Sequence, residues 1–141
     1  MTQFNNRYLP DNEDIGRHYL KTKLHLTEDR SLKNKFFCIW DYPTKEKPNE
    51  IWEIKSKQLP DYRPYAIDFR NEQIACVQKY PDKTWKVIVI FYDRDTKAFF
   101  IRLFDIRKDF LNVNRDITKS SGTIRLSLKY DKRDYTNHCT G

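Results

Sequence analysis

Val87-Ile88-Val89-Ile90-Phe91-Tyr92 is the most apolar run of the chain, and its β-branched content predicts a central strand buried on both faces. Downstream, Asp93-Arg94-Asp95-Thr96-Lys97 is turn chemistry leading into a further strand over residues 98–104. A short helix carrying Ile106, Phe110 and Leu111 comes next. Residues 123–130 then alternate, with Ile124, Leu126, Leu128 and Tyr130 on one face of a closing strand. Upstream of the apolar run, residues 68–80 predict a helix capped by Asp68 or Asn71 and stopped before Pro81, although Ile74 to Cys76 also fits strand alternation. Pro60 and Pro64 punctuate a loop holding Tyr62, Arg63 and Tyr65. Earlier still, Phe36-Phe37-Cys38-Ile39-Trp40 reads as a buried strand, the charged turn 42–50 carries two prolines, and Ile51-Trp52-Glu53-Ile54-Lys55 returns as its hairpin partner. Asn12 caps a helix with Ile15, Tyr19, Leu20 and Leu24 at helical spacing and Glu13 and Asp14 in its first turn. The expected fold is α/β, a central mixed β-sheet flanked by helices. It forms a single domain over residues 1–141, with 1–11 and 134–141 flexible.

Composition narrows the function. A chain of 141 residues suits one core. Its 38% hydrophobic and 15% aromatic content is too apolar for a disordered segment, even with 33% charged residues. The glycines Gly16, Gly122 and Gly141 lie too far apart for a phosphate-cradling loop. No apolar stretch approaches the roughly 18 residues of a membrane span and no charged-then-apolar leader opens the chain, so neither a membrane nor a secretory route is expected. Cys38, Cys76 and Cys139 are odd in number and widely spaced. Cys38 and Cys76 sit in apolar runs and read as buried thiols in a reduced, cytoplasmic setting, and no zinc cluster is available. His18, His25 and His138 are equally scattered, which leaves no histidine-metal finger. The net charge of +7 suits a polyanionic partner, since each neutralised phosphate releases condensed counterions.

The chemistry concentrates on the hairpin. Residues two apart on a strand share a face, so Glu53 and Lys55 point together while Trp52 and Ile54 point into the core. Asp41 ends the neighbouring strand, and hairpin pairing brings it to Glu53. Two carboxylates and an ammonium then converge. Paired carboxylates suit Mg²⁺, which takes oxygen ligands and leaves other positions to water and phosphate. The lysine beside them holds or deprotonates the attacking water and offsets charge on the phosphorus oxygens.

Asp41, a twelve-position gap, then Glu53-Ile54-Lys55 resembles the PD-(D/E)XK nuclease superfamily. Within it, the chain is most similar to small type II restriction endonucleases of the PvuII kind. The likeness includes the length, the Glu53-Ile54-Lys55-Ser56 ending, a helix running into a Trp-led apolar strand and a basic closing strand, over residues 12–131. Trp40 stands where the superfamily's name has Pro. The resemblance implies a restriction-endonuclease-like core, with Asp41 and Glu53 as Mg²⁺ ligands and Lys55 as the catalytic lysine. Glu13 is the candidate for a further acid from the first helix, or else a plain first-turn acid.

Other residues carry two readings each. Lys57 is a phosphate contact beside Lys55 or an ordinary exposed lysine. Tyr62, Arg63 and Tyr65 are a DNA-reading loop, suited to stacking and to bidentate readout of guanine, or packing. Gln73, Gln78 and Lys79 fall on the predicted helix, and nothing in the sequence decides which faces the cleft. Arg125, Lys129, Lys132 and Arg133 form a phosphate-contacting edge or a solvated strand face. The expectation is a Mg²⁺-dependent, site-specific endonuclease acting on double-stranded DNA. It would be a homodimer, because one small domain has one active site and two strands must be cut. A homing, phage or mobile-element endonuclease of the same fold, a non-enzymatic nucleic-acid-binding module, and an interaction protein with basic patches and no DNA role are the alternatives.

Overall fold

The run 84–93 forms the middle strand of a five-stranded mixed sheet. A computed structural model describes residues 12–31, 40–59, 66–95, 97–111, 117–120, 123–127 and 136–139. Their elements in chain order are α1 (Asn12–Thr22), β1 (Tyr42–Pro43), β2 (Glu50–Leu59), β3 (Ala66–Arg70), α2 (Asn71–Lys79), β4 (Thr84–Asp93), β5 (Ala98–Asp105), a π-helical turn (Arg107–Leu111), β6 (Ile117–Ser120), β7 (Thr123–Ser127) and β8 (Thr136–Cys139). The central sheet has the order β1-β2-β4-β5-β8, and β3-β7-β6 form a separate three-stranded sheet.

Strand β2 runs parallel to β4 in register from Glu50 opposite Thr84 to Leu59 opposite Asp93, with β3 and α2 making the crossover between them. The remaining central pairs are antiparallel. Parallel pairing explains why β4 is apolar on both faces: each face must be covered by the crossover or by another layer. On one face, Ile88 and Ile90 pack with Trp52, Ile54, Ile101 and, from α1, Ile15 and Leu20. On the other, Val87, Val89 and Phe91 pack with Ile51, Ile74 and Val77 of α2, Ile67 and Phe69 of β3, and Ile124 and Leu126 of β7.

Gly16 lets α1 approach closely. A Cβ there would lie 2.6 Å from Ile54 Cγ2 and 2.9 Å from Ile90 Cδ1, closer than side chains pack. At the far end of the other face, the Arg107 guanidinium accounts for the carbonyls that end α2. It donates to the carbonyl of Val77 and, at 3.0, 3.2 and 2.7 Å, to those of Tyr80, Pro81 and Lys83. A cation suits the negative end of a helix.

Three expectations are corrected. The helix expected over 68–80 is two elements: β3 runs through Arg70, which is the helix N-cap, and Asp68 lies within the strand. Its reason is long-range, because β3 exists by pairing with β7, Ala66 opposite Ser127 through Arg70 opposite Thr123. The strand beginning at Thr123 accordingly belongs to the second sheet rather than the central one. Cys76 is half-buried rather than fully buried, on the flank of α2. Residues 136–139 pair with β5, Ala98 opposite Cys139. The predicted strand at 36–40 lies outside the described residues except for Trp40, a fully buried bend.

Candidate active site

Strands β1 and β2 form a hairpin, with Tyr42 opposite Trp52 and Pro43 opposite Ile51 at the sheet edge, so that the first strand falls within the stretch 42–50 expected as turn. Proline is tolerated on such an edge because it has no N–H to offer a neighbour. In the turn, the Thr44 hydroxyl donates to the carbonyls of Lys47 and Glu50 at 2.7 and 3.1 Å. Asp41, one residue before the Tyr42 pairing, is thereby brought to Glu53. The contact is reciprocal. The Asp41 N–H donates to Glu53 Oε1 at 3.0 Å, and the Ile54 N–H donates to Asp41 Oδ2 at 3.1 Å.

Glu53 is 5% exposed, because the face it shares with Ile51 is roofed by α2 and β3. Gln73 Nε2 donates to Glu53 Oε2 at 2.6 Å, and Lys55 Nζ stands 3.3 Å from the same oxygen. The Lys55 ammonium also lies 4.9 Å from the centre of the Phe69 ring, a cation–π contact that fixes its side. Burial is the main cause that pushes the Glu53 carboxyl up from 4.5 to about 7, and the neighbouring charge of Asp41 adds to it. The ammonium of Lys55 and the amide of Gln73 pull the other way. Two like charges held this close share a need for a proton or a cation.

Gln73 is the residue that sequence reasoning left undecided. It is 2% exposed, its Oε1 accepts from the Arg70 N–H at 3.0 Å, and its own carbonyl accepts from the Trp40 indole N–H at 3.3 Å. The first of these is half of a helix capping box, so the residue that starts α2 also orients Glu53. Its signal depends on where the helix starts: with Arg70 as the N-cap, Gln73 is the third helical residue, and capping fixes where its amide points.

The other predicted residues fall elsewhere. Glu13 is exposed on α1 and accepts from Arg17 at 2.9 Å as an i, i+4 ion pair. Arg17 also donates to Glu28 at 2.7 Å. Its guanidinium is held above its usual pKa: burial lowers it, and bonding to Glu13 with the charges of Glu28, Glu13 and Asp41 outweighs that. Arg125 projects from β7 to Asp68 of β3 at 2.8 and 3.3 Å, which holds Asp68 below the usual carboxylate range. Lys57 is half-buried further along β2, and its charge also lowers Asp68. Tyr62, Arg63, Tyr65, Lys129, Lys132 and Arg133 lie outside the described residues.

Among the described residues no group of three or more His, Cys, Asp or Glu side chains gathers as a metal centre. The Asp41–Glu53 pair does fit a hard cation: it offers two carboxylates, one of them raised to about 7 by its burial and by the charge of the other. No family model matches the chain, and neither a curated protein nor a solved structure matches it. Among the described residues no helix is long and apolar enough to cross a membrane.

Proposed function

We propose that this protein is a Mg²⁺-dependent endonuclease that hydrolyses phosphodiester bonds in duplex DNA. Its specificity and homodimeric form would be those of a type II restriction enzyme, on a restriction-endonuclease-like core. One observation carries the reading: Asp41, Glu53 and Lys55, distant in sequence from the roofing Gln73, meet at one sheet edge within hydrogen-bonding reach. A mixed sheet whose edge hairpin is followed by a helical crossover to a parallel apolar strand supports it.

Asp41 and Glu53 would hold the cation, which when bound polarises a phosphate oxygen and acidifies water. The chain's own groups do the rest. Lys55 offsets negative charge growing on the phosphorus oxygens and positions the attacking water. Gln73, anchored by the Arg70 N–H, keeps the Glu53 carboxylate from rotating away. The apolar roof of Phe69 and Trp40 lowers the local dielectric and strengthens each of these interactions.

A second reading is favoured by a specific observation. Both Glu53 oxygens already accept hydrogen bonds, so the cluster could be a satisfied buried polar network in a nucleic-acid-binding module. Incubation of mixed duplex DNA with the protein and Mg²⁺ separates the two. Discrete products with mappable ends, abolished by EDTA, are expected. Intact DNA at millimolar Mg²⁺, with retention of the duplex in a gel shift, overturns the nuclease and leaves the binding module.

A further inference from the structure

A second feature adjoins the carboxylates on the other side of the hairpin. An open cleft of about 800 Å³ lies between α1 and the segment 27–30, floored by Tyr42, the residue after Asp41. Arg17, His18 and Lys21 line it from the helix, and Arg30 from the segment. Its one carboxylate, Glu28, is bonded to Arg17. The Arg17 guanidinium lies 5.7 Å from the centre of the Tyr42 ring and is close enough to Asp41 to feel its charge.

The arrangement needs an explanation beyond helix stability. Lys21 in the last turn of α1 complements the helix dipole, but Arg30 belongs to another segment and has no such reason to be there. Like charges gathered from two segments on one concavity repel, and an anion in the cleft offsets that repulsion. No ion pair engages Lys21 or Arg30 among the described residues. Their heads remain available to a ligand with repeated negative charges.

We infer that this cleft binds the phosphodiester backbone of DNA beside the bond held at Asp41, Glu53 and Lys55, an inference that rests on the nuclease reading for its ligand. A strand whose reacting phosphate lies at Asp41 continues past Tyr42 into the cleft, where Lys21 and Arg30 meet successive phosphates.

The test is fluorescence anisotropy with a fluorescein-labelled duplex in EDTA, so that no cleavage is required. Lys21→Glu and Arg30→Glu are compared with Lys108→Glu, an equal change of charge at an exposed site on the π-helical turn, which packs on the opposite face of the sheet from α1. Melting curves check that each variant folds, and the two cleft positions are independent of each other. Each cleft variant should weaken binding by about tenfold or more and lower the slope of log K against log salt by about 1, while Lys108→Glu changes affinity less than about threefold. Equal loss in all three variants reduces the effect to net charge and overturns the cleft, as does unchanged binding in both cleft variants. Wild-type protein that shows the cleft-dependent binding but never cuts DNA with Mg²⁺ overturns the nuclease reading alone.

Discussion

The two faces of the central sheet are built from the same alternating strands and enclose their carboxylates differently. Toward α1, Ile88, Ile90, Trp52 and Ile54 meet Ile15 and Leu20, with Gly16 pressed against Ile54 and Ile90. Toward α2, Val87, Val89, Phe91 and Ile51 meet Ile74, Val77 and Phe69, but the layer is broken by Glu53, whose neighbours are Gln73, Asp41 and Lys55. The first face gains about 25 cal/mol per Å² of apolar surface, and its buried Glu50 accepts from the Trp52 indole N–H at 2.8 Å and pairs with Lys86 at 3.7 Å. The second gives up part of that gain, since a buried carboxylate costs free energy even when it is hydrogen-bonded. A buried carboxylate set beside a second carboxylate, with its pKa raised to about 7, is where a fold departs from its most stable arrangement for the sake of chemistry.

The largest expected effect tests what the inclusion is for. Lys55→Ala should lower cleavage by at least about 10²-fold, the loss seen when one preorganised electrostatic group is removed. Duplex binding should change little, because one cation is a small part of a many-phosphate interface. Near-normal single-turnover cutting would mean that the second face is merely structural.

Next comes the cost of the inclusion itself. Folded Glu53 keeps its proton to about pH 7, whereas the unfolded carboxyl releases it near 4.5. The unfolded chain therefore binds fewer protons between these values, and stability falls as pH rises from about 4.5 through 7. The full difference is about 3 kcal/mol, from 1.36 kcal/mol per pKa unit. Glu53→Gln should flatten that slope in urea melts run at pH 5 and pH 8. Equal slopes in the two proteins would show that Glu53 is not buried as a strained acid.

The α1 face should respond with the opposite logic. Gly16→Ala improves helix propensity by about 1 kcal/mol. Against that, its Cβ meets Ile54 and Ile90 at 2.6 and 2.9 Å, and overpacking costs about 1–3 kcal/mol. A net fall in melting temperature is expected, with Mg²⁺ response and cleavage chemistry retained. A rise would mean that the helix stands further from the sheet.

Asp41→Asn should produce the smallest shift and sharpen the contrast. The asparagine oxygen can still accept from the Ile54 N–H, so the loop is kept while the charge opposing Glu53 is removed. Thermal melts without metal should rise by a few degrees, and the stabilisation by Mg²⁺ expected of the wild type should vanish. An unchanged Mg²⁺ shift in this variant would place the cation elsewhere.

Much of this was legible from local pattern. The period-2 alternation of Trp52 and Ile54 against Glu53 and Lys55, the β-branched run at the centre, and the helix beginning at Asn12 follow from spacing that a short window contains. The pairing of Asp41 with Glu53 followed from hairpin geometry, because a turn of fixed length sets its own register. Sequence reading stopped at the question of what lies above each face. It did not say what covers Glu53, and it merged β3 with α2, because residues 66–70 become a strand only when β7, more than fifty positions away, supplies the partner backbone.

The division has a physical cause. Alternation and capping are properties of neighbouring residues, so the chain by itself determined β2, β4, β5, its first helix and the common face of Glu53 and Lys55. Burial is a property of what arrives from elsewhere. Gln73 and Phe69 reach Glu53 and Lys55 only through the crossover, Arg30 joins Arg17 and Lys21 only when the segment after α1 folds back, and Asp68 removes Arg125 to a surface ion pair. The tertiary structure alone decided which charges are enclosed, which are neutralised and which stay open to a ligand, because solvation and Coulomb energy depend on distance in space and not on position along the chain.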